Sequence, residues 1–183
     1  LIGFAGAPWT LACYMVDGQG SKEYLRTRLM AAHDPARFAR LIGILEAALI
    51  GYLCRQIEAG AEVVKLFDSW AGVLPPDGFR RWSLEPLARI VAGVKARHPA
   101  VPVVVFPRGA GASYPLVAAE VGADGLALDT AVPTDWAART LPSRPTLTGN
   151  LDPVALVAGG EALDAAVDRI RADFAGRPHV FNL

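Results

Sequence analysis

The stretch Glu58–Trp70, which reads EAGAEVVKLFDSW, decides the fold class of this chain. Gly60 suits the left-handed end of a helix, because glycine alone has no Cβ to clash in that conformation. The short, nearly continuous apolar run Val63–Phe67 is typical of a strand buried on both faces, as in a parallel sheet. Asp68 and Ser69 follow directly, at the carboxyl end of that strand, where α/β proteins bind their ligands.

The same order of features returns in Glu120–Asp129, which reads EVGADGLALD. A helix end, Gly-Ala, an acid, an apolar strand and an aspartate recur, so a repeated β/α unit is indicated. Taken alone, each aspartate could bind a ligand or could equally be structural, because α/β folds reuse this helix-to-strand joint.

Composition indicates an ordered globular protein and favours no charged partner. The 183 residues suffice for one domain with a sizeable core, which we expect to span residues 1–183. Hydrophobic residues make up 52% and charged residues 20%, which excludes a disordered chain. Eighteen basic residues balance eighteen acidic ones, so the total favours neither nucleic acid nor an anionic membrane, although a local basic pocket stays possible. The two cysteines, Cys13 and Cys54, are too few for a disulfide framework, which favours a reducing, cytoplasmic setting.

The two ends of the chain carry apolar sequence. Residues 1–16 have no charge, but the run is shorter than the ~20 residues that span a bilayer. Gly3, Gly6 and Pro8 interrupt it, so a buried strand, a loop and a helix are the better prediction. The chain starts in one predicted strand without an initiator Met and stops in another at Leu183. Because natural domains avoid ending in buried strands, we expect a fragment of a longer protein.

Six predicted strands alternate with helices along the chain. They cover Leu1–Ala5, Val63–Phe67, Pro102–Phe106, Gly125–Leu128, Thr146–Thr148 and His179–Asn182. A long helix is predicted from Pro35 with Asp34 as its cap, and Ser21 is predicted to cap the helix that contains Tyr24. Shorter helices are predicted over Thr10–Val16 and from about Phe79 to Arg97.

This alternation predicts an α/β fold with parallel strands. A doubly wound sheet and a (β/α)8 TIM barrel both remain open on alternation alone. No G-x-G-x-x-G follows the first strand, which weakens the dinucleotide-binding alternative. An incomplete barrel of about six β/α units, lacking about two units before Leu1, fits better. Its active site would lie where the loops after the strands meet.

Several polar and aromatic side chains follow predicted strands and are expected around one barrel mouth. They are Trp9, Tyr14, Asp68, Ser69, Arg108, Asp129, Asn150 and Asp152. Each has an ordinary alternative. Asp152 precedes a proline and suits a helix start, and Asp129 could satisfy backbone amides in its turn. Trp9 and Trp70 could be packing residues or walls for a flat ligand. Arg108 could bind an anion or pair with a neighbouring acid.

Metal and hydrolase chemistry are not favoured. His33, His98 and His179 are scattered, no cysteine lies within two residues of a histidine, and no paired-cysteine spacing occurs, so no metal site is predicted. Ser69 lacks the G-x-S-x-G elbow of a serine hydrolase and has no credible base nearby.

Five motifs together resemble the uroporphyrinogen decarboxylase family. They are GFAGAPWTLACYMVDGQGSK (3–22), FDSWAGVL (67–74), FPRGAG (106–111), GNLDP (149–153) and HVFNL (179–183). The first two are long enough to be specific, and the resemblance covers essentially the whole chain. It implies a single-domain (β/α)8 barrel, usually a homodimer, without a metal or organic cofactor. It also implies a carboxy-lyase of haem biosynthesis that converts the four acetates of uroporphyrinogen III to methyls, giving coproporphyrinogen III.

The resemblance also assigns residues. Tyr14 falls on the family's substrate-binding tyrosine and Ser69 on its substrate-binding serine. Arg108 as a further carboxylate ligand is our own inference from its charge and place. The family's Arg-rich segment and its essential aspartate would lie before Leu1, and a histidine would follow Leu183. No catalytic residue is therefore assigned here, and the fragment alone is expected to be inactive.

Two rival functions remain at this point. A corrinoid-dependent methyltransferase of the related barrel family would need a zinc site of His–Cys–Cys type. Cys13, on a predicted short helix, and Cys54, in the middle of a long helix, are poorly placed for one. The other rival is a non-catalytic barrel that serves as a binding protein.

Overall fold

The computed structural model describes all residues from 1 to 183, and its six strands form one parallel sheet. The strands are β1 (Ile2–Gly6), β2 (Val63–Asp68), β3 (Val103–Pro107), β4 (Gly125–Ala127), β5 (Thr146–Thr148) and β6 (His179–Val180). Every predicted strand is confirmed, with bounds that differ by at most two residues.

The strands lie side by side in the order in which the chain makes them. The sheet runs β1-β2-β3-β4-β5-β6, every neighbouring pair is parallel, and β1 does not pair with β6. A doubly wound sheet reverses its strand order at a switch point, and no reversal occurs here. The order is that of consecutive barrel units, which confirms the prediction of an incomplete barrel.

Helices connect the strands and cover one face of the sheet. They are α1 (Pro8–Asp17), α2 (Leu25–His33), α3 (Pro35–Glu58), α4 (Pro76–Phe79), α5 (Glu85–Arg97), α6 (Tyr114–Glu120), α7 (Thr134–Thr140), α8 (Pro153–Ala158) and α9 (Gly160–Asp173). A π-helical turn, Arg80–Leu84, joins α4 to α5, so the helix predicted from Phe79 to Arg97 is nearly continuous. No helix of the chain has both the length and the apolar character needed to cross a membrane.

The helix starts confirm one predicted cap and correct another. The Asp34 carboxylate accepts a hydrogen bond from the Arg37 amide at 2.9 Å, and Pro35 opens α3 as predicted. Ser21, however, does not cap α2. The residue before that helix is Tyr24, held in the left-handed region at φ 46°, and the Ser21 hydroxyl accepts from the Tyr24 amide one turn earlier. The Ser21 hydroxyl is therefore hydrogen-bonded within the turn that precedes the helix.

Burial alternates along β2 and defines the two faces of the sheet. Val64, Leu66 and Asp68 are buried against the helices, whereas Val63, Lys65 and Phe67 are only half-buried. The prediction of a strand buried on both faces is therefore wrong for this chain. Nothing lies across the concave side of these six strands, and a cavity of about 380 Å³ there is lined by residues from all six, among them Ile2, Val63 and Val180. Ile2 in β1 is 62% exposed.

Two apolar clusters hold the layers together. The larger consists of 31 buried residues between the sheet and α3, α5, α6, α7 and α9. The smaller one centres on Trp9, Phe38 and Trp82, where the Trp9 and Phe38 rings meet edge to face at 5.8 Å. The smaller cluster fixes α1 against α3 and the π turn, and so places the start of α1 beside the carboxyl end of β2.

Candidate active site

Tyr14 lies at the carboxyl edge of the sheet, on α1, with its side chain open to solvent. The residue is 46% exposed, and its hydroxyl makes no hydrogen bond within the chain. The ring meets that of Trp70 edge to face at 6.3 Å and that of Tyr24 at 6.5 Å. Trp70 directly follows Ser69, so α1 and the turn after β2 place Tyr14 and Ser69 in neighbouring parts of one edge.

Ser69 is the first residue after β2 and is half-buried. Its hydroxyl makes no hydrogen bond within the chain. The alternation of β2 places Val63, Lys65 and Phe67 on the concave side, and Ser69 occupies the next position in that series. Two hydroxyls without partners, those of Tyr14 and Ser69, are therefore free to bind a ligand at this edge.

Asp68 points the other way and is fully buried. Its carboxylate accepts from the Thr10 hydroxyl at 2.7 Å and from the Ser83 hydroxyl at 2.5 Å. Burial raises the pKa of Asp68 to about 6, and the two hydroxyl donors partly oppose that rise. The Thr10 oxygen in turn accepts from the Trp70 amide at 3.3 Å. Asp68 thus holds the turn that carries Ser69, and it does not face the open edge.

The two tryptophans have different roles. Trp9 is fully buried, and its Nε1 donates to the Trp70 carbonyl at 3.0 Å, so the packing alternative is correct for Trp9. Trp70 is half-buried, with its ring 4.8 Å from that of Tyr24 and with no hydrogen-bond partner for its Nε1. An aromatic group of Tyr14, Tyr24 and Trp70 therefore borders Ser69.

Arg108 is exposed in the loop after β3, and its guanidinium forms no ion pair within the chain. The alternative of pairing with a neighbouring acid is therefore not observed. Its main chain is fixed: the Arg108 amide donates to the Asp68 carbonyl at 3.1 Å, and its carbonyl accepts from the Gly72 amide at 3.0 Å. The loops after β2 and β3 are thus joined, and the Arg108 side chain is left free.

Asp129 does not offer a free carboxylate. One oxygen accepts from the Gly109 amide at 2.7 Å and from the Tyr114 hydroxyl at 2.8 Å. The other accepts from the Ala131 amide at 2.9 Å. The alternative in which Asp129 satisfies backbone amides in its turn is therefore correct.

Asn150 and Asp152 are likewise engaged in the loop after β5. Asn150 is buried, and its Nδ2 donates to the carbonyls of Asp129 at 2.7 Å and Val132 at 2.9 Å. Asp152 accepts from the Val154 amide at 2.9 Å and caps α8, as its alternative predicted.

The eight side chains expected around one barrel mouth do not share a cavity. Asn150 and Asp152 line a cavity of about 530 Å³ between the loop after β4 and α9. That cavity includes none of Tyr14, Ser69 or Arg108. The expectation is wrong because loop and cap hydrogen bonds hold Asp68, Asp129, Asn150 and Asp152, while Trp9 packs in the core. Tyr14, Ser69 and Arg108 remain as the groups free to bind.

Comparison with known proteins identifies the family of the chain. The family model described as uroporphyrinogen decarboxylase (URO-D) matches residues 1–183. The chain belongs to the uroporphyrinogen decarboxylase family. Proteins named uroporphyrinogen decarboxylase are 55% identical to it in Rhizorhabdus wittichii, 54% in Granulibacter bethesdensis and 52% in Sphingopyxis alaskensis. Each match covers 100% of this chain and 53% of the relative, so the chain spans about half the length of the curated relatives it matches.

Family membership confirms the resemblance drawn from the five motifs, and the family's TIM-barrel fold agrees with six strands in barrel order. The names of these relatives do not favour the corrinoid methyltransferase alternative.

Sequence reasoning missed three side chains that organise this edge, namely Thr10, Ser83 and Tyr114. Thr10 stands inside the motif at 3–22, so it was visible as part of a specific pattern but not as a partner of Asp68. Ser83 and Tyr114 carry no sequence signal. They lie 15 residues from their aspartates, on helices whose packing alone brings them close.

Proposed function

We propose that the protein to which this chain belongs removes carbon dioxide from the four acetate side chains of uroporphyrinogen III and yields coproporphyrinogen III. The observation that carries the proposal is the pair of unpartnered hydroxyls, Tyr14 and Ser69, beside an aromatic group at the carboxyl edge of a parallel sheet. Barrel enzymes bind substrates at that edge. Membership of the family and the names of the relatives support the same reaction.

The reaction needs a place for an electron pair, and the substrate can supply it. When a pyrrole ring is protonated, the bond between the acetate methylene and its carboxylate can break with its electron pair passing into the ring. Carbon dioxide leaves, a proton added at the methylene carbon gives the methyl group, and loss of the proton first added to the ring restores the pyrrole. The ring acts as the electron sink, so the chemistry calls for no cofactor. The protein has to bind the anionic substrate and stabilise the positive charge of the protonated ring.

In this proposal the residues of the chain act mainly in binding. The hydroxyls of Tyr14 and Ser69 donate hydrogen bonds to substrate carboxylates, and the free guanidinium of Arg108 adds a charge-assisted one. The Trp70 ring provides a flat apolar wall beside them. Asp68 is not the carboxylate that stabilises the ring, because its oxygens are buried and accept from Thr10 and Ser83. The resemblance places the essential aspartate outside these residues.

The setting of the protein belongs to the proposal as well. We expect residues 1–183 to form part of a single barrel domain in a homodimer, as the resemblance implies. The low cysteine count favours a cytoplasmic setting. Size-exclusion chromatography with light scattering on a full-length protein, meaning one that contains these residues and has the length of the curated relatives, measures the dimer directly. A monomer at micromolar concentration would contradict that expectation.

The activity itself is tested by product analysis. Full-length protein is incubated with uroporphyrinogen III without oxygen. The porphyrinogens are then oxidised to porphyrins, which are separated by chromatography. The proposal predicts that the eight-carboxylate substrate disappears and a four-carboxylate product accumulates. Protein that is folded by circular dichroism but leaves the substrate unchanged would reject the proposed function.

A further inference from the structure

The loops after β2, β3, β4 and β5 are joined by a continuous series of contacts at the carboxyl edge. The loop after β2 meets the loop after β3 through the Gly72 amide and the Arg108 carbonyl, 3.0 Å apart. The loop after β3 meets the loop after β4 through the Gly109 amide and the Asp129 carboxylate, 2.7 Å apart. The loop after β5 joins through Asn150, which donates to the Asp129 carbonyl at 2.7 Å.

Arg108 sits at the centre of this series and is held from both sides. Its own amide and carbonyl bond to the β2 strand end and loop, and the amide of its neighbour Gly109 bonds to Asp129. Gly109 has φ 76°, a left-handed conformation that glycine adopts readily. A Cβ on Gly72 would come within 2.9 Å of the Gly109 Cα, so the two loops are in direct backbone contact. The place of the Arg108 Cα is therefore set by its neighbours on both sides.

Tyr114 orients the Asp129 carboxylate to which the loop after β3 is hydrogen-bonded. It is fully buried, and its hydroxyl donates to the same Asp129 oxygen that accepts from Gly109. The phenol also accepts from the Asp129 amide at 3.2 Å. Burial, followed by the charge of Asp129, raises the pKa of Tyr114, so the phenol keeps its proton and remains a donor. The carboxylate that holds the loop of Arg108 is thus itself oriented by one buried hydroxyl.

We propose that Tyr114, acting through Asp129, is a positioning residue that sets where Arg108 meets a substrate carboxylate. The inference rests on the proposed function, since it assigns Arg108 a carboxylate of uroporphyrinogen. Tyr114 does not itself contact the substrate, because it is buried beneath the loop. Its effect on substrate binding passes through Arg108.

A double-mutant cycle separates positioning from a merely structural role. Tyr114→Phe, Arg108→Gln and the double variant are made in the full-length protein, and kcat and KM for uroporphyrinogen III are measured with thermal melts. We expect Tyr114→Phe alone to raise KM roughly threefold to tenfold, with kcat within about twofold of wild type. In the Arg108→Gln background the same change should raise KM by less than about twofold. Tyr52→Phe, at an exposed tyrosine of α3, is the matched control and should leave both constants unchanged.

The inference would be overturned if Tyr114→Phe raised KM by the same factor in wild type and in the Arg108→Gln variant. An unchanged KM after either single substitution would also overturn it. Should Tyr114→Phe fail to fold, Asp129→Asn enters the same cycle with the same expected non-additivity, because it weakens the same link to Gly109. A folded wild type without turnover would overturn the proposed function together with this inference. An active wild type with an additive cycle would overturn only the role of Tyr114.

Discussion

At the scale of single residues, Tyr14 differs from the other tyrosines at the carboxyl edge. Tyr24 and Tyr114 are fully buried, whereas Tyr14 is half-exposed. The Tyr24 hydroxyl also lacks a hydrogen-bond partner but is buried, so only the unpartnered hydroxyl of Tyr14 is open to solvent. Tyr14 is therefore not a core tyrosine bonded to a backbone carbonyl. The hydroxyl is available to a ligand without any change in the packing of the ring.

Tyr14→Phe in the full-length protein should reduce activity and leave stability nearly unchanged. Loss of one hydrogen bond to a charged carboxylate corresponds to ~1.5–3 kcal/mol, or roughly tenfold to a hundredfold in kcat/KM. The melting curve should show a change below about 1 kcal/mol, because the hydroxyl makes no hydrogen bond within the chain. Tyr52→Phe serves again as the control. Unchanged turnover with a clearly lowered melting temperature would assign Tyr14 to the core.

Asp68 should make a stability contribution that depends on pH. Its pKa is raised from 3.8 to about 6, so the folded state binds a proton more tightly than the unfolded state. The free energy of unfolding therefore falls as pH rises from about 4 to about 6. Above that range the whole contribution of the Asp68 proton, about 3 kcal/mol, is lost. Asp68→Asn lacks this ionisation. Its stability relative to wild type should thus rise by up to that amount between pH 4 and pH 7.

Urea unfolding of wild type and Asp68→Asn at several pH values measures this difference. Asp164→Asn, at an exposed site on α9, is the matched control. A difference between Asp68→Asn and wild type that stays constant from pH 4 to pH 7 would show that burial does not raise the pKa of Asp68. Activity of the full-length Asp68→Asn variant is expected to change less than its stability, since Asp68 faces away from the open edge.

At the scale of elements, the loops after β2 and β3 depend on two glycines that touch. Gly72→Ala would place a Cβ 2.9 Å from the Gly109 Cα and 3.0 Å from the Gly109 carbonyl oxygen, so one backbone has to move. We expect a loss of roughly 1–3 kcal/mol in the free energy of unfolding. Gly43→Ala is the control, because Gly43 lies exposed in α3 with nothing within 4 Å of an added Cβ. That change should stabilise the helix by up to ~1 kcal/mol.

Thermal melts of the two variants give the comparison directly. A Gly72→Ala variant as stable as wild type would mean that the two loops separate without cost. The prediction that Arg108 is held in place by its neighbours would then fail with it.

The elements could be predicted from sequence much better than their contacts. Apolar runs located all six strands, and helical spacing after Asp34 and Pro35 located α3. These signals are local in the sequence. The bonds of Asp129 to Gly109 and Tyr114 are set by how three loops pack, and no local pattern encodes them. For the same reason, the free hydroxyl of Tyr14 was assigned by family resemblance and not by spacing.

At the scale of the whole molecule, the concave face of the sheet is open in these 183 residues. Ile2 and Phe4 are each 62% exposed, and Val180 and Phe181 at the other end of the sheet are also exposed. The family's barrel fold closes such a face, because interior side chains of a barrel pack in layers. The repeated β/α joints predicted parallel strands but left a doubly wound order open, and the missing G-x-G-x-x-G favoured the barrel order. The exposure of this face was not predicted.

The isolated 183-residue chain should accordingly behave as a protein with an exposed apolar sheet face. We expect it to bind a hydrophobic dye and to self-associate more than the full-length protein, because exposed apolar patches and unpaired strand edges favour both. Dye fluorescence and light scattering at equal concentration make the comparison. The isolated chain is also expected to lack decarboxylase activity. If the isolated chain were monomeric and did not bind the dye, residues 1–183 alone would be sufficient to cover this face.

The central claim, that the carboxyl edge of this sheet binds the substrate through Tyr14 and Ser69, is tested most directly by a crystal structure of the full-length protein with coproporphyrinogen III bound. We predict the hydroxyls of Tyr14 and Ser69 within about 3.2 Å of ligand carboxylate oxygens, with Trp70 alongside the macrocycle. A ligand bound at the opposite edge of the sheet, or at this edge with both hydroxyls turned away from it, would contradict the account.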